Sequence, residues 1–228
     1  MTQISGDRIA ISNEVGENET ITNFIAPFKS NLEKDLDSVL CFNPEILDKS
    51  IGKWQTNIGD WMAQVCFEHA NSLFKKRTGK EINLCLLNHG GIRAILPKGN
   101  LSTRNAFEIM PFENNLVILA LKGEQINQIS QFFIDERKPH PIFGLEITFD
   151  KNNEIRGVKV NNNELEKERI YYVVTSDYLA NGGDRMSFFQ NPIEFIDLDY
   201  KIRNVIIDEF KSKDTLVIPN QQKIFQLQ

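Results

Sequence analysis

The chain has 228 residues, 41% of them hydrophobic, enough for one substantial core or for a domain with an extra N-terminal segment. Its formal charge of −5 argues against a general nucleic-acid binder, because neutralising a phosphate backbone needs a basic face and no lysine–arginine cluster stands out. A free nucleotide needs only one or two cations. Cys41, Cys66 and Cys85 are widely spaced with no CxxC pair, which speaks against a disulfide framework or a zinc knuckle.

The opening MTQISGDRIA has neither a charged n-region nor an apolar h-region, and no apolar run is long enough to span a membrane. The protein is therefore expected either in the cytoplasm or downstream of a removed export signal. Ile21, Phe24, Ile25, Phe28, Leu32, Leu36 and Leu40 recur at helical spacing, with Asn18 as cap and Glu19 in the first turn. This predicts a long amphipathic helix packed against a sheet. Residues 1–50 read as an N-terminal segment carrying that connector-like helix, and 51–228 as the main domain.

A second helix is expected after Thr56 or Asn57, with Ile58, Trp61, Met62, Val65, Cys66 and Leu73 on one face and Gly79 as its stop. Strands follow at about 82–88, 115–122, 144–149, 155–160 and 170–176, with asparagine turns at 152–153 and 161–163. Cys85 falls in the first of them and reads, like Cys66, as a small buried side chain. Short helical stretches are expected from Ser102 to Met110 and over 123–135. A last helix at 198–211 would bury Leu198, Ile202, Val205, Ile206 and Phe210. This order predicts an α+β domain of mixed sheets covered by helices.

Three segments look like parts of a site. Tyr178 to Asp184 sets an aromatic ring and a carboxylate at the ends of a turn containing Gly182 and Gly183. A ring offers a flat apolar face for a base, and a carboxylate accepts from neighbouring sugar hydroxyls. The glycines would let the backbone pass close to the ligand. Asn88-His89-Gly90-Gly91-Ile92-Arg93 follows a buried strand, and Met110-Pro111-Phe112-Glu113-Asn114 closes a short helix. Each residue also has an ordinary reading. Phe112 could plug the core, Tyr178 could be a surface ring, and Asp184 could cap a helix from Arg185. Arg93 could make a surface ion pair, Asn88 could satisfy its turn, and His89 reads as a loop residue rather than a base.

In this order and spacing, NHGGIR, MPFEN and DYLANGGD resemble the C-terminal, substrate-binding domain of the 5′-nucleotidase and UDP-sugar hydrolase family. The likeness runs from about Gly52 to Phe189. It implies that Phe112 and Tyr178 sandwich the base, that Asp184 binds the ribose hydroxyls, and that Asn88 and Arg93 contact nucleoside and phosphate. The sequence departs upstream of Thr56, where several members have a second phosphate-binding arginine and this chain has Gly52 and Lys53; a lysine is a poorer bidentate partner.

The resemblance also implies a division of labour. In the family a separate N-terminal metallophosphatase domain holds two metal ions. This chain has three histidines, His69, His89 and His140, and none begins a metal-ligand motif. No catalytic residue and no metal ligand are therefore assigned here. The two divalent ions are expected on a missing metallophosphatase partner, as a separate chain or as the other part of a two-domain enzyme. The expected function is the nucleotide-binding half of a 5′-nucleotidase, periplasmic or extracellular once an export signal is removed; the alternative is a binding-only protein that captures nucleosides or nucleotides, or docks to another protein.

Overall fold

A computed structural model of the chain describes residues 16–227 together with residues 6, 8, 10 and 12. The chain divides into two compact units between Ser38 and Val39. Helix α1 (Glu19–Asp37) belongs to the first. Asn18 caps it, its side-chain oxygen accepting from the Ile21 N–H at 3.2 Å. None of its residues is buried, and Phe24 is 72% exposed.

The second unit runs β1 (Val39–Asn43), α2 (Asn57–Thr78), β2 (Leu84–Leu86), β3 (Gly99–Ser102), α3 (Thr103–Ile109), β4 (Asn115–Lys122), α4 (Gly123–Glu136), β5 (Ile142–Phe143), β6 (Leu145–Phe149), β7 (Ile155–Val160), β8 (Asn163–Glu164), β9 (Ile170–Ser176), α5 (Asp177–Ala180), β10 (Glu194–Lys201), α6 (Ile202–Ser212) and β11 (Ile224–Gln226). Leu40, expected at the end of the first helix, lies in β1, which pairs antiparallel with β3. Strands β1 and β3 both lie in the second unit, which starts at Val39. The expected helix at 198–211 begins at Ile202, because Leu198 belongs to strand β10 on the edge of the central sheet. The first expected strand shortens from 82–88 to Leu84–Leu86.

The central sheet has the order β10-β4-β9-β2-β5, and a smaller sheet the order β11-β6-β7-β8. Period-two alternation gives the central sheet two apolar faces. Cys85, Leu87, Leu116, Ile118, Val174 and Leu198 join one core with α2 and α6. Leu84, Leu86, Val117, Leu119, Leu121 and Val173 join the other with α4 and the smaller sheet. The fold is thus α+β, with mixed sheets and helices in layers. Trp61, Phe74, Phe133, Phe149 and Phe210 are almost fully buried, each stabilising by about 1.5–3 kcal/mol.

Local signals set the element ends. Thr56 caps α2 by accepting from the Gly59 N–H at 3.1 Å, and Gly79 ends it in the left-handed region at φ 73°. The C-terminal segment is clasped to the start of α2. Lys223 Nζ bonds Asp60 Oδ1 at 3.0 Å, and Gln55 Oε1 accepts from the Ile224 N–H at 3.0 Å.

Strand direction brings the site segments together. Strands β2 and β9 are parallel, so both release their chains at the same edge of the sheet. The antiparallel β4 starts there, with Leu116 opposite Ser176, and β10 ends there, with Lys201 opposite Asn115. The segments after β2, before β4, after β9 and at the start of α6 therefore meet.

Candidate functional site

Where they meet is a cleft of about 320 Å³. Leu87, Met110 and Ile202 are buried and give it an apolar lining; Asn88, Arg93, Phe112, Asn114, Tyr178 and Asp184 border it as well. Phe112 is 41% and Tyr178 45% exposed, so neither ring plugs the core. A half-exposed ring on an apolar cleft is free to take a flat ligand on its face.

Asp184 is the polar centre. Tyr178 Oη donates to its Oδ1 at 2.9 Å, and Asn88 Nδ2 donates to its Oδ2 at 2.7 Å. Each carboxylate oxygen keeps a further lone pair for a ligand hydroxyl. Asp184 has φ 51° and Arg185 φ 64°, and Asp184 lies inside a short 3-10 turn, Gly183–Arg185. It does not cap a helix from Arg185, as its position after two glycines had suggested. Gly182, at φ 88°, starts this turn. A Cβ on Gly183 would lie 2.5 Å from the Tyr178 ring and 2.6 Å from the Tyr178 carbonyl oxygen. Gly183 thus permits the close approach of Tyr178, and neither glycine borders the cleft.

Arg93 is fixed by its backbone N–H, which donates to the Ile109 carbonyl at 2.9 Å, and by Nη1, which donates to the Gly90 carbonyl at 3.3 Å. Its guanidinium lies 5.8 Å from the centre of the Phe112 ring. The sequence had drawn attention to Lys53 as the nearest second cation, but that ammonium sits over Trp54 at 5.3 Å. The cation beside Arg93 is Lys49, whose Nζ donates to the Ile92 carbonyl. Burial and then the Arg93 charge hold its pKa below the usual lysine value. Nothing in Asp48-Lys49-Ser50 marks it in sequence, because its place depends on a turn closed by the Ser50 N–H on Asp48 Oδ1 at 2.8 Å.

His89 opens the 3-10 turn His89–Gly91, and its Nδ1 lies 3.3 Å from the Pro139 carbonyl. Its backbone N–H donates to Nδ1 of His140 at 3.2 Å, so the loop carrying His140 braces the turn after Asn88. His140 is 4% exposed; burial first and the neighbouring His89 second push its pKa down to about 4. Among the described residues, no three His, Cys, Asp or Glu side chains converge where they could hold a metal ion. Cys41, Cys66 and Cys85 are free and buried.

This sheet-edge cleft, with its two rings, carboxylate and arginine, defines a class. Residues 44–191 match the family described as 5′-nucleotidase, C-terminal domain, and the chain belongs to that family. It is 25% identical over 228 residues to the trifunctional nucleotide phosphoesterase protein YfkN of Bacillus subtilis, covering 92% of this chain and 15% of that protein. It is 21% identical over 184 residues to a 5′-nucleotidase of Vibrio parahaemolyticus, covering 78% of this chain and 31% of that protein. The crystal structure of a 5′-nucleotidase precursor from Thermus thermophilus superposes with a TM-score of 0.75 at 21% identity, over 92% of this chain and 42% of that one. The chain therefore spans less than half the length of each of these relatives.

Proposed function

We propose that this chain is the nucleotide-binding part of a 5′-nucleotidase and positions nucleoside phosphates for hydrolysis by a dinuclear metallophosphatase chain or domain. The observation that carries this reading is the Tyr178–Asp184–Asn88 hydrogen-bonded group on the same cleft as Phe112. Phe112 and Tyr178 take the base, and Asp184 accepts from the ribose hydroxyls while Tyr178 and Asn88 hold its carboxylate in place. Arg93, with Lys49 adding positive charge beside it, draws the phosphate to one end. In this reading two metal ions on the metallophosphatase part would supply the attacking hydroxide. Holding the substrate in one orientation removes entropy from the barrier, which is this chain's share of catalysis. Its place of work in this reading is the periplasm or the cell exterior.

The test is phosphate release from AMP with divalent metal present. The chain alone is expected to release none, and adding a metallophosphatase part of the same family is expected to give turnover that Asp184→Ala abolishes. Turnover by the chain alone, lost in Asp184→Ala, would overturn the reading. Tight AMP binding with no turnover alongside the metallophosphatase part would favour nucleotide capture.

A further inference from the structure

The ring of Phe112 stands 41% exposed, so its position depends on the backbone that carries it. That backbone is held from one side by the start of α6. The Ile202 N–H donates to the Asn114 carbonyl at 3.0 Å. Arg203 Nη1 points to the Pro111 and Phe112 carbonyls at 3.3 and 3.5 Å, and its Nη2 donates to Glu113 Oε1. Lys201 Nζ donates to the other oxygen of Glu113. Arg203 is 7% exposed, with its guanidinium 4.2 Å from the centre of the Phe107 ring on α3.

A buried arginine is expensive unless its donors are used. Here both terminal nitrogens, Nη1 and Nη2, are spent on three consecutive residues of one loop, the middle of which is Phe112, while the buried Nε has no hydrogen-bond partner among the described residues. The planar fork reaches carbonyls and carboxylate together, which a lysine cannot do. We propose that Arg203 is a positioning residue for the nucleoside site: it clasps Pro111–Glu113 from behind and fixes the Phe112 ring for stacking. The proposal rests on the nucleotide-binding reading given above. It adds that affinity for the base is set in part by a residue that does not border the cleft.

Two variants test it. Arg203→Lys keeps the charge and loses the fork; Glu113→Gln alters the 62% exposed end of the clasp, where the fold has little at stake. Both are expected to weaken AMP binding roughly three- to tenfold, the penalty for ordering a ring and its loop on binding. Affinity for ribose 5-phosphate, which has no base, is expected to stay at the wild-type value. A general defect in the fold would lower both affinities together. A second measurement needs no ligand: fluorinated phenylalanine placed at position 112 alone should give a ¹⁹F resonance that sharpens and moves toward its unfolded-state position in both variants.

Wild-type AMP affinity in both variants, with an unchanged ¹⁹F signal, would overturn the clasp while leaving the nucleotide site standing. Equal losses for AMP and ribose 5-phosphate would overturn it too. If the wild-type chain bound no nucleotide, the functional reading would fail, and the ¹⁹F signal would still decide whether Arg203 fixes the ring.

Discussion

The Tyr178 hydroxyl donates to the Asp184 carboxylate at 2.9 Å across the Gly182-Gly183 turn, so one residue supplies both a ring to the cleft and a tether for its anion. The two roles separate by substitution. Tyr178→Phe keeps the ring and is expected to cost about 0.5–1.5 kcal/mol of adenosine affinity through a looser Asp184. Tyr178→Ala loses the stacking face as well and is expected to cost about 1–3 kcal/mol from that alone. Titration calorimetry of both variants with adenosine gives the order, and equal losses would mean that the ring does not stack.

Gly183→Ala tests the turn itself. The new Cβ meets the Tyr178 ring and, more seriously, the Tyr178 carbonyl, which cannot swing aside. The turn must shift, with an expected destabilisation of about 1–3 kcal/mol and loss of adenosine binding. Thermal unfolding and titration of the same preparation check both.

Acid should weaken the fold through His140. Its folded pKa of about 4 lies below the ordinary 6.5, so between those values the unfolded chain binds a proton that the folded chain refuses. The resulting stability is complete above about pH 6.5 and is lost as pH falls to about 4. By linkage this is on the order of 3 kcal/mol. His140→Gln offers an acceptor for the His89 N–H without titrating, and it should flatten the slope in denaturant midpoint over that window. Some slope will persist, because His89 is shifted downward as well, by burial and by Lys49.

The C-terminal clasp makes a stability prediction away from the cleft. Burial raises the Asp60 carboxyl pKa even against the Lys223 ammonium, so the pair is held at a cost. Asp60→Ala would strand the 3% exposed Lys223 and is expected to destabilise by about 3–5 kcal/mol. Pairing Asp60→Leu with Lys223→Met should recover most of that loss, as a denaturant double-mutant cycle would show.

How much of this was legible in sequence depended on whether a residue's role was local. Asn18, Thr56 and Gly79 sit at the helix ends they signalled, and the strands of 115–122, 155–160 and 170–176 follow from alternating or continuous apolar runs. Strand β10 was missed because Leu198, Ile202, Val205 and Ile206 also fit helical spacing; the competing signal was Ile196, Leu198 and Tyr200 at period two. The antiparallel pair of β1 and β3 joins residues about sixty apart, and no local pattern announces it.

The site divides in the same way. Asn88, Arg93, Phe112, Tyr178 and Asp184 were singled out in contiguous motifs, and all five border one cleft. Lys49, Ile202 and Arg203 reach the neighbourhood only through tertiary packing, so the sequence tied none of them to the site; Ile202 read only as part of a buried helix face. Asn114 was within the MPFEN motif and was passed over for its neighbour, although it borders the cleft.

The most direct test of the central claim is isothermal titration of AMP into the purified chain, with Asp184→Ala in parallel. The account predicts saturable binding at one site per chain, lost or severely weakened in the variant. Absence of binding to the wild-type chain, or equal binding by the two, would contradict it.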